Sequence, residues 1–348
     1  LRLLRTPLQR PRGDTPPMDA VILVGGFGTR LRPLTLTTPK PLLPVGNVSI
    51  LARVIAGLEK AGVTRAILAL GFKPQPFIDA FPGNQCGGVH LEYAVEPEPL
   101  DTGGAIAFAA RFAGVSHTFI VVNGDVLTSL DVSTLVAFHK KNAAEGTLHL
   151  TPVEDPSQFG VVETANDGQV TRFVEKPAPG ETTSFNVNAG TYVLEPSVIE
   201  RMAADQKISI ERVVFPAMVA QGTLFAMPTA DSWIDTGRPE TYIAANMSAL
   251  ENAHGNKLVH EASRVATTAT IEQSVVGPLC VVGEYSHLSH SVVIAGAEIG
   301  ESAAIENSVI MGIVGSAAQL KNCIIGADGV VEQGEVLNNV KRPSPDGA

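Results

Sequence analysis

A short segment near the beginning of the chain combines glycines with positive charge. It contains Gly25, Gly26, Gly28, Arg30 and Lys40. The apolar run at 21–24 before it is typical of a buried strand, so the glycines stand at the turn that leaves this strand. Glycines at such a turn let successive N–H groups approach an anion closely, and the two cations add charge. The segment therefore predicts a binding site for a nucleoside triphosphate.

The spacing of these residues differs from the two common phosphate-binding signatures. A P-loop requires Lys-Ser or Lys-Thr directly after its last glycine, and that pair does not follow Gly28. The dinucleotide pattern Gly-x-Gly-x-x-Gly is not present in this segment either. A glycine turn alone can serve only chain geometry. The addition of Arg30 and of Lys40 between two prolines favours phosphate binding.

Two carboxylates follow apolar runs in other parts of the chain. Asp125 comes after the strand-like run 118–123, and Asp235 precedes a helical pattern at 238–252. Each could simply cap a turn or a helix. Carboxylate oxygens are also the ligands that Mg²⁺ prefers, and one carboxylate makes a poor site. We expect Asp125 and Asp235 to bind one Mg²⁺ together.

Strand-like and helix-like segments alternate along residues 18–250. The strand candidates are 19–24, 65–70, 89–95 and 118–123, and the helix candidates are 49–61, 103–112 and 131–143. Such alternation predicts an α/β catalytic domain with a Rossmann-like, mostly parallel sheet. Ligands of such sheets bind beyond the carboxyl ends of the strands. The glycine turn and Asp125 stand at two of these ends.

The composition and periodicity of the sequence change at about residue 264. The triplets that begin at Ser274, Ser291 and Ser308 recur at intervals of 17 residues (291 − 274 and 308 − 291), with aliphatic residues every five or six positions between them. This pattern predicts a parallel β-helix of hexapeptide repeats over 264–337. An ordinary β-sandwich is the alternative. Residues 1–17 are interpreted as a flexible leader and 338–348 as a tail.

Six segments together resemble the sugar-1-phosphate nucleotidylyltransferases. They are the glycine-rich run at 23–44, Leu100–Ala105, Phe159–Val162, Phe173–Pro177, Asn186–Gly190 and Trp233–Pro239. Within the family, the sequence is most similar to the branch that transfers GMP from GTP to mannose 1-phosphate. The resemblance implies in-line displacement of pyrophosphate, dependence on Mg²⁺, and a β-helix that is left-handed.

The resemblance also implies roles for individual residues. Catalytic cations are Arg30, Lys40 and Lys176; nucleotide-binding residues are Leu23, Gly25, Gly26, Gly28, Thr29, Glu96, Thr102, Gly103 and Gly124; sugar-phosphate-binding residues are Gly160, Glu175 and Asn188; metal ligands are Asp125 and Asp235. Asp101 stands where the family commonly has Gly. Glu96 would read guanine because a carboxylate accepts both N1–H and N2–H₂, although it could instead be a solvated turn residue.

The bulk composition excludes several partners and leaves three rival functions. A net charge of −10 argues against nucleic acid and anionic membranes. Three widely spaced cysteines predict a reducing cytoplasm rather than disulfides or a zinc site. The rivals are a uridylyl- or thymidylyltransferase acting on glucose 1-phosphate, a regulatory paralogue without catalysis, and a hexapeptide acyltransferase. A homo-oligomer, assembled with help from the β-helix, is expected.

Overall fold

The computed structural model describes residues 18–71, 74–204, 206–253 and 255–344. The predicted leader and residues 345–348 of the predicted tail lie outside this part of the chain. The strands of the first part are β1 Met18–Leu23, β2 Pro44–Val45, β3 Val48–Ser49, β4 Val63–Leu70, β5 Gln85–Cys86, β6 Val89–Val95, β7 Phe119–Asn123, β8 Val126–Thr128, β9 Gly146–Pro152, β10 Gly160–Thr164, β11 Val170–Glu175, β12 Asn186–Leu194, β13 Leu224–Pro228 and β14 Trp233–Asp235.

Eight α-helices accompany these strands in the described residues. They are α1 Leu34–Thr37, α2 Ile50–Lys60, α3 Gln75–Ala80, α4 Asp101–Ala113, α5 Val132–Lys141, α6 Ser197–Glu200, α7 Phe215–Gln221 and α8 Pro239–Asn252. Short 3₁₀ turns cover Thr29–Leu31, Lys40–Leu42 and Pro82–Asn84, and a π-helical turn covers Ile210–Val214. No helix among the described residues combines the length and apolar character needed to cross a membrane.

Parallel strands form the centre of the main sheet, so the predicted α/β architecture is confirmed. Strand β1 pairs in parallel with β4 and β7, and β4 pairs in parallel with β6. Strands β9 to β12 continue the sheet on one side through antiparallel pairs. Leu23 lies opposite Asn123, so the carboxyl ends of β1 and β7 meet at one edge. The glycine turn and Asp125 follow these two ends.

Local capping signals begin two of the helices as predicted. The Ser49 side chain accepts a hydrogen bond from the N–H of Ala52 at the start of α2. Asp131 accepts one from the N–H of Ser133 at the start of α5. These side chains satisfy N–H groups that lack partners within the helix. The apolar face of α2 then packs on the sheet, where Ile55 is fully buried.

The second part of the chain forms three parallel sheets, as the predicted β-helix requires. Its strands are β15 Lys257–Val259, β16 Arg264–Val265, β17 Thr270–Glu272, β18 Ser274–Val276, β19 Val281–Val282, β20 His287–Ser289, β21 Val292–Val293, β22 Glu298–Ile299, β23 Ala304–Glu306, β24 Val309–Ile310, β25 Ile313–Val314, β26 Gln319–Lys321, β27 Ile324–Ile325, β28 Val330–Val331, β29 Val336–Asn338 and β30 Lys341–Arg342. Every third strand belongs to the same sheet.

The recurring serines have a structural role in this array. The Ser274 hydroxyl accepts a hydrogen bond from the N–H of Ser291, and Ser291 accepts one from the N–H of Ser308. Cys323 continues the row, since its N–H donates to the Ser308 hydroxyl. All four side chains are buried. The 17-residue interval in the sequence thus corresponds to one coil, with a buried polar ladder joining successive coils.

The array extends beyond the residues in which the repeat is visible. Its first strand begins at Lys257, ahead of residue 264. Lys341 and Arg342, from the segment interpreted as a tail, form the last strand beside Ile324 and Ile325. Neither end strand carries the Ser-aliphatic-aliphatic triplet.

One apolar cluster joins the two parts of the chain. Leu31 and Leu34, which follow the glycine turn, are fully buried together with Tyr242 of α8. The same cluster contains Val309 and Ile324 of the β-helix. The β-helix therefore covers the outer side of the segment that carries the predicted phosphate-binding residues.

Candidate active site

Lys40 lies between the two predicted metal ligands. Its Nζ is 2.6 Å from Oδ2 of Asp125 and 3.4 Å from Oδ1 of Asp235. The side chain of Lys40 is only 7% exposed, whereas those of Asp125 and Asp235 are 37% and 30% exposed. The ammonium group is thus held at the base of the site, and both carboxylates remain open to the cleft.

The pair of carboxylates fits a divalent metal. Oδ2 of Asp125 and Oδ1 of Asp235 both lie next to Nζ of Lys40. The distance between these two oxygens therefore cannot exceed the sum of their distances to that nitrogen. Lys40 already supplies one positive charge to the pair, and both carboxylate side chains remain partly exposed to the cleft. Hard oxygen donors of this kind suit Mg²⁺. The chemistry of the donor set therefore agrees with the expected shared site at Asp125 and Asp235.

Thr236 and Gly237 hold this arrangement together, and sequence reasoning assigned neither of them a role. The Thr236 hydroxyl donates to the backbone oxygen of Asp125 at 2.7 Å. The N–H of Gly237 donates to Oδ1 of Asp235 at 2.9 Å. Strands β14 and β8 also pair in antiparallel fashion. Two segments that are distant in sequence are thereby fixed against each other.

Gly237 cannot carry a side chain without disturbing three charged groups. A Cβ there would lie 2.9 Å from Asp235 Oδ1, 3.2 Å from Lys40 Nζ and 3.4 Å from Arg30 Nη2. We expect Gly237→Ala to lower kcat/KM by roughly 10²-fold, because small displacements of catalytic groups are costly. A pyrophosphate-release assay measures this loss. Gly57→Ala, where a Cβ meets nothing within 4 Å, is the matched control, and equal activities of the two variants would contradict the prediction.

The glycine turn lies against the same cleft. Gly28 has a φ of +59°, and a Cβ on it would lie 2.9 Å from the Thr35 methyl group. A Cβ on Gly26 would meet nothing within 4 Å, so this glycine faces open space. The cleft is lined by Leu23, Val24, Gly26, Gly28, Thr29, Arg30, Lys40, Pro41, Asp125 and Gly237. Seven of these ten were singled out from the sequence as nucleotide, phosphate or metal residues, all but Val24, Pro41 and Gly237.

Two further predicted glycines shape the edges of this cleft. Gly25 passes close to Gly71, whose N would be 3.3 Å from a Cβ on Gly25. Gly124 donates its N–H to the Leu23 oxygen at 2.9 Å. A Cβ on Gly124 would lie 2.5 Å from Val24. A side chain at Gly124 would therefore force apart the ends of β1 and β7.

The predicted base-side residues are anchored to a distant segment. Asp101 has a φ of +62°, so it adopts the dihedral that Gly would supply more easily. The Thr102 hydroxyl donates to Oε2 of Glu211 at 2.6 Å. The N–H groups of Gly103 and Gly104 both donate to the Ile208 oxygen. The structure places these residues in the first turn of α4 and not in a loop, and residues 208–211, at the start of the π-helical turn, hold that first turn in place.

Glu96 is buried rather than solvated. Glu96 is only 7% exposed, and its Oε2 accepts a hydrogen bond from the N–H of Leu100 at 2.9 Å. Burial raises the pKa of this carboxyl, and the hydrogen bond from Leu100 opposes that rise. One oxygen of Glu96 therefore closes the turn that leads into α4.

The predicted sugar-side residues lie on β10 to β12. Gly160 stands opposite Glu175, and a Cβ on it would lie 2.9 Å from Oε2 of Glu175. Lys176 follows with a φ of +53°. Nδ2 of Asn188 donates to the Tyr192 hydroxyl at 2.9 Å.

Glu211 is an additional acidic residue near this side of the site. It accepts hydrogen bonds from the hydroxyls of Thr102 and Ser209. Burial raises the pKa of the Glu175 carboxyl, and the negative charge of Glu211 raises it further. Glu211 is thus hydrogen-bonded to the first turn of α4 and acts electrostatically on Glu175. No sequence signal marks Glu211, because the π-helical turn in which it lies is visible only in the structure.

Two known protein families match the two parts of the chain separately. Residues 19–252 match the nucleotidyl transferase family, and residues 253–342 match the GMPPB C-terminal domain. The chain belongs to the nucleotidyl transferase family. Members of this family generally use a divalent metal ion, a nucleoside triphosphate and a sugar phosphate.

Two relatives with similar sequences are named as enzymes that act on mannose 1-phosphate. Mannose-1-phosphate guanylyltransferase of Mycobacterium tuberculosis is 37% identical over 301 residues, which are 83% of either chain. Mannose-1-phosphate guanyltransferase of Schizosaccharomyces pombe is 35% identical over 346 residues, covering 92% of this chain and 94% of that one. The solved structure of HddC from Yersinia pseudotuberculosis complexed with GMP-PN has a TM-score of 0.57 at 31% identity, covering 67% of this chain and 99% of that one.

Proposed function

We propose that this protein transfers GMP from GTP to mannose 1-phosphate and so forms GDP-mannose and pyrophosphate. The observation that carries the proposal is the contact of Lys40 with both Asp125 and Asp235 beside the glycine turn. Such a cluster suits the approach of two polyanions, since charge must be neutralised before they can react. The names of the relatives supply the base and the sugar.

In this reaction a phosphate oxygen of mannose 1-phosphate attacks the α-phosphorus of GTP. The bond from the α-phosphorus to the bridging oxygen breaks, and its electrons leave with pyrophosphate. Arg30 and Lys40 stabilise the negative charge that grows on the departing group. Lys176 would neutralise the attacking phosphate. Mg²⁺ held by Asp125 and Asp235 would supply further positive charge to the phosphate oxygens.

Substrate binding is assigned to the remaining predicted residues. The N–H groups at Gly25, Gly26, Gly28 and Thr29 would hold the triphosphate, with Leu23 and Gly124 as the walls of the cleft. Thr102 and Gly103 would contact the base. Gly160, Glu175 and Asn188 would contact the sugar phosphate, through one backbone group and two side chains.

Glu96 is proposed to accept hydrogen bonds from guanine through its carboxylate. We expect Glu96→Gln to raise the KM for GTP several-fold, because losing a bidentate base contact costs about 1–3 kcal/mol. It should also narrow the preference for GTP over UTP and dTTP. Steady-state kinetics with the three nucleotides measure both effects. Glu98→Gln, an exposed position in the same turn, should change neither.

The structure offers a clear alternative for Glu96. A glutamine could still accept the N–H of Leu100 through its amide oxygen, so the turn would survive the substitution. Unchanged nucleotide preference in Glu96→Gln would then mean that Glu96 only closes this turn. The assignment to guanine would in that case be wrong.

The decisive experiment offers several nucleotides and two sugar phosphates to the same enzyme. GTP, ATP, UTP and dTTP are each combined with mannose 1-phosphate and with glucose 1-phosphate, and pyrophosphate release is measured. The proposal requires the highest kcat/KM for GTP with mannose 1-phosphate. A preference for UTP or dTTP with glucose 1-phosphate would support the first rival. Binding without turnover would support a regulatory paralogue.

A cytoplasmic homo-oligomer remains part of the proposal. Cys86, Cys280 and Cys323 are all unpaired, which suits a reducing compartment. The β-helix exposes apolar side chains such as Leu279, Tyr285 and Val336. We expect these side chains to be buried when chains associate, because removing apolar surface from water stabilises such a contact. A monomer in light scattering would contradict the oligomer.

A further inference from the structure

The last coil of the β-helix contacts the phosphate-binding segment directly. Nζ of Lys341 donates a hydrogen bond to the backbone oxygen of Arg30 at 3.1 Å. Lys341 belongs to β30, the final strand of the array, and Arg30 lies in the 3₁₀ turn that follows the glycines. The two residues are 311 positions apart in the sequence.

A second contact fixes the same segment three residues further on. Pro33 packs so closely on Gly326 that a Cβ there would lie 2.9 Å from Pro33 Cβ and 3.2 Å from Pro33 O. Between these points, Leu31 is fully buried in the cluster shared with Val309 and Ile324. The backbone of 30–33 thus rests on the β-helix, while the guanidinium group of Arg30 lies beside Gly237 in the cleft.

We propose that Lys341 is a positioning residue for nucleotidyl transfer and that the end of the β-helix sets the location of Arg30. Lys341 acts through the Arg30 backbone and does not line the cleft itself. The β-helix would then support catalysis within one chain, in addition to any role in assembly. The inference rests on the proposed function, since it concerns the same triphosphate site.

Kinetics of three variants test this role. Lys341→Met removes the donor and keeps the aliphatic stem, and it should raise the KM for GTP about threefold to tenfold. The KM for mannose 1-phosphate and the melting temperature should stay at wild-type values. Lys341→Arg keeps a donor and should restore most of the affinity for GTP. Lys321→Met, an exposed lysine of the same array that pairs with Glu306, is the matched control.

Hydrogen exchange tests the same role without any turnover. Amides of residues 27–32 should exchange faster in Lys341→Met than in the wild type, and Lys321→Met should leave them unchanged. Faster exchange would support the positioning role even if the enzyme preferred another nucleotide, so the two proposals can fail separately. Unchanged exchange together with an unchanged KM for GTP in Lys341→Met would overturn it. An equal effect from Lys321→Met would overturn it as well.

Discussion

Replacing Lys40 with methionine is expected to lower kcat/KM by at least roughly 10²-fold. A preorganised charge directed at the departing group of a transition state contributes about 3–4 kcal/mol. Lys40 is buried at the base of the cleft and held by Asp125 and Asp235, so its ammonium group is already oriented before substrate arrives. Methionine keeps most of the volume and removes the charge. Pyrophosphate release under steady-state conditions measures the loss.

The control for this prediction is a lysine far from the cleft. Lys141→Met, at the exposed end of α5, should leave kcat/KM unchanged. Circular dichroism should show that both variants are folded. Near-normal turnover by Lys40→Met would remove this residue from the mechanism. Lys40→Arg should not restore activity, because the larger guanidinium would have to fit where Gly237 already limits the space.

The predictions from sequence succeeded where the signal is local. The run at 21–24, the cap Ser49 and the cap Asp131 depend on a few neighbouring residues, and the structure confirms β1, α2 and α5 there. The seventeen-residue repeat also succeeded, because each Ser ladder contact joins one coil to the next. Resemblance to a family supplied the remaining site residues, because their local sequence alone does not distinguish them from ordinary turn and surface residues.

The sequence could not reveal contacts between distant segments. Lys40 meets Asp125 and Asp235 across 85 and 195 positions, and no local pattern encodes a salt bridge of that length. The requirement for glycine at 237 follows from three side chains that converge on it from different segments. Nothing in the sequence distinguishes Lys341 from other exposed lysines, and only the fold of the β-helix shows that it lies against Arg30. Such residues are determined by tertiary packing, which motif spacing does not contain.

Replacing either of the two cleft aspartates, Asp125 or Asp235, with asparagine is expected to lower both metal affinity and activity. Asparagine is nearly the same size as aspartate but carries no charge, so Asp125→Asn and Asp235→Asn should each leave the fold intact. Each variant should need at least about tenfold more Mg²⁺ for half-maximal rate, because a neutral amide binds this hard cation far more weakly than a carboxylate. The effect on kcat should reach roughly 10²-fold.

The two variants should also behave alike, and this similarity is the sharper test of a shared site. Titration with Mn²⁺, followed by electron paramagnetic resonance, measures metal binding without turnover. Asp167→Asn is the matched control, since this exposed aspartate only accepts the N–H of Gln169 in a turn. If only one of the two cleft variants loses Mn²⁺ affinity, the second aspartate acts through Lys40 instead. The hydrogen bond from Gly237 to Asp235 would then serve to orient a salt bridge and not a metal ligand.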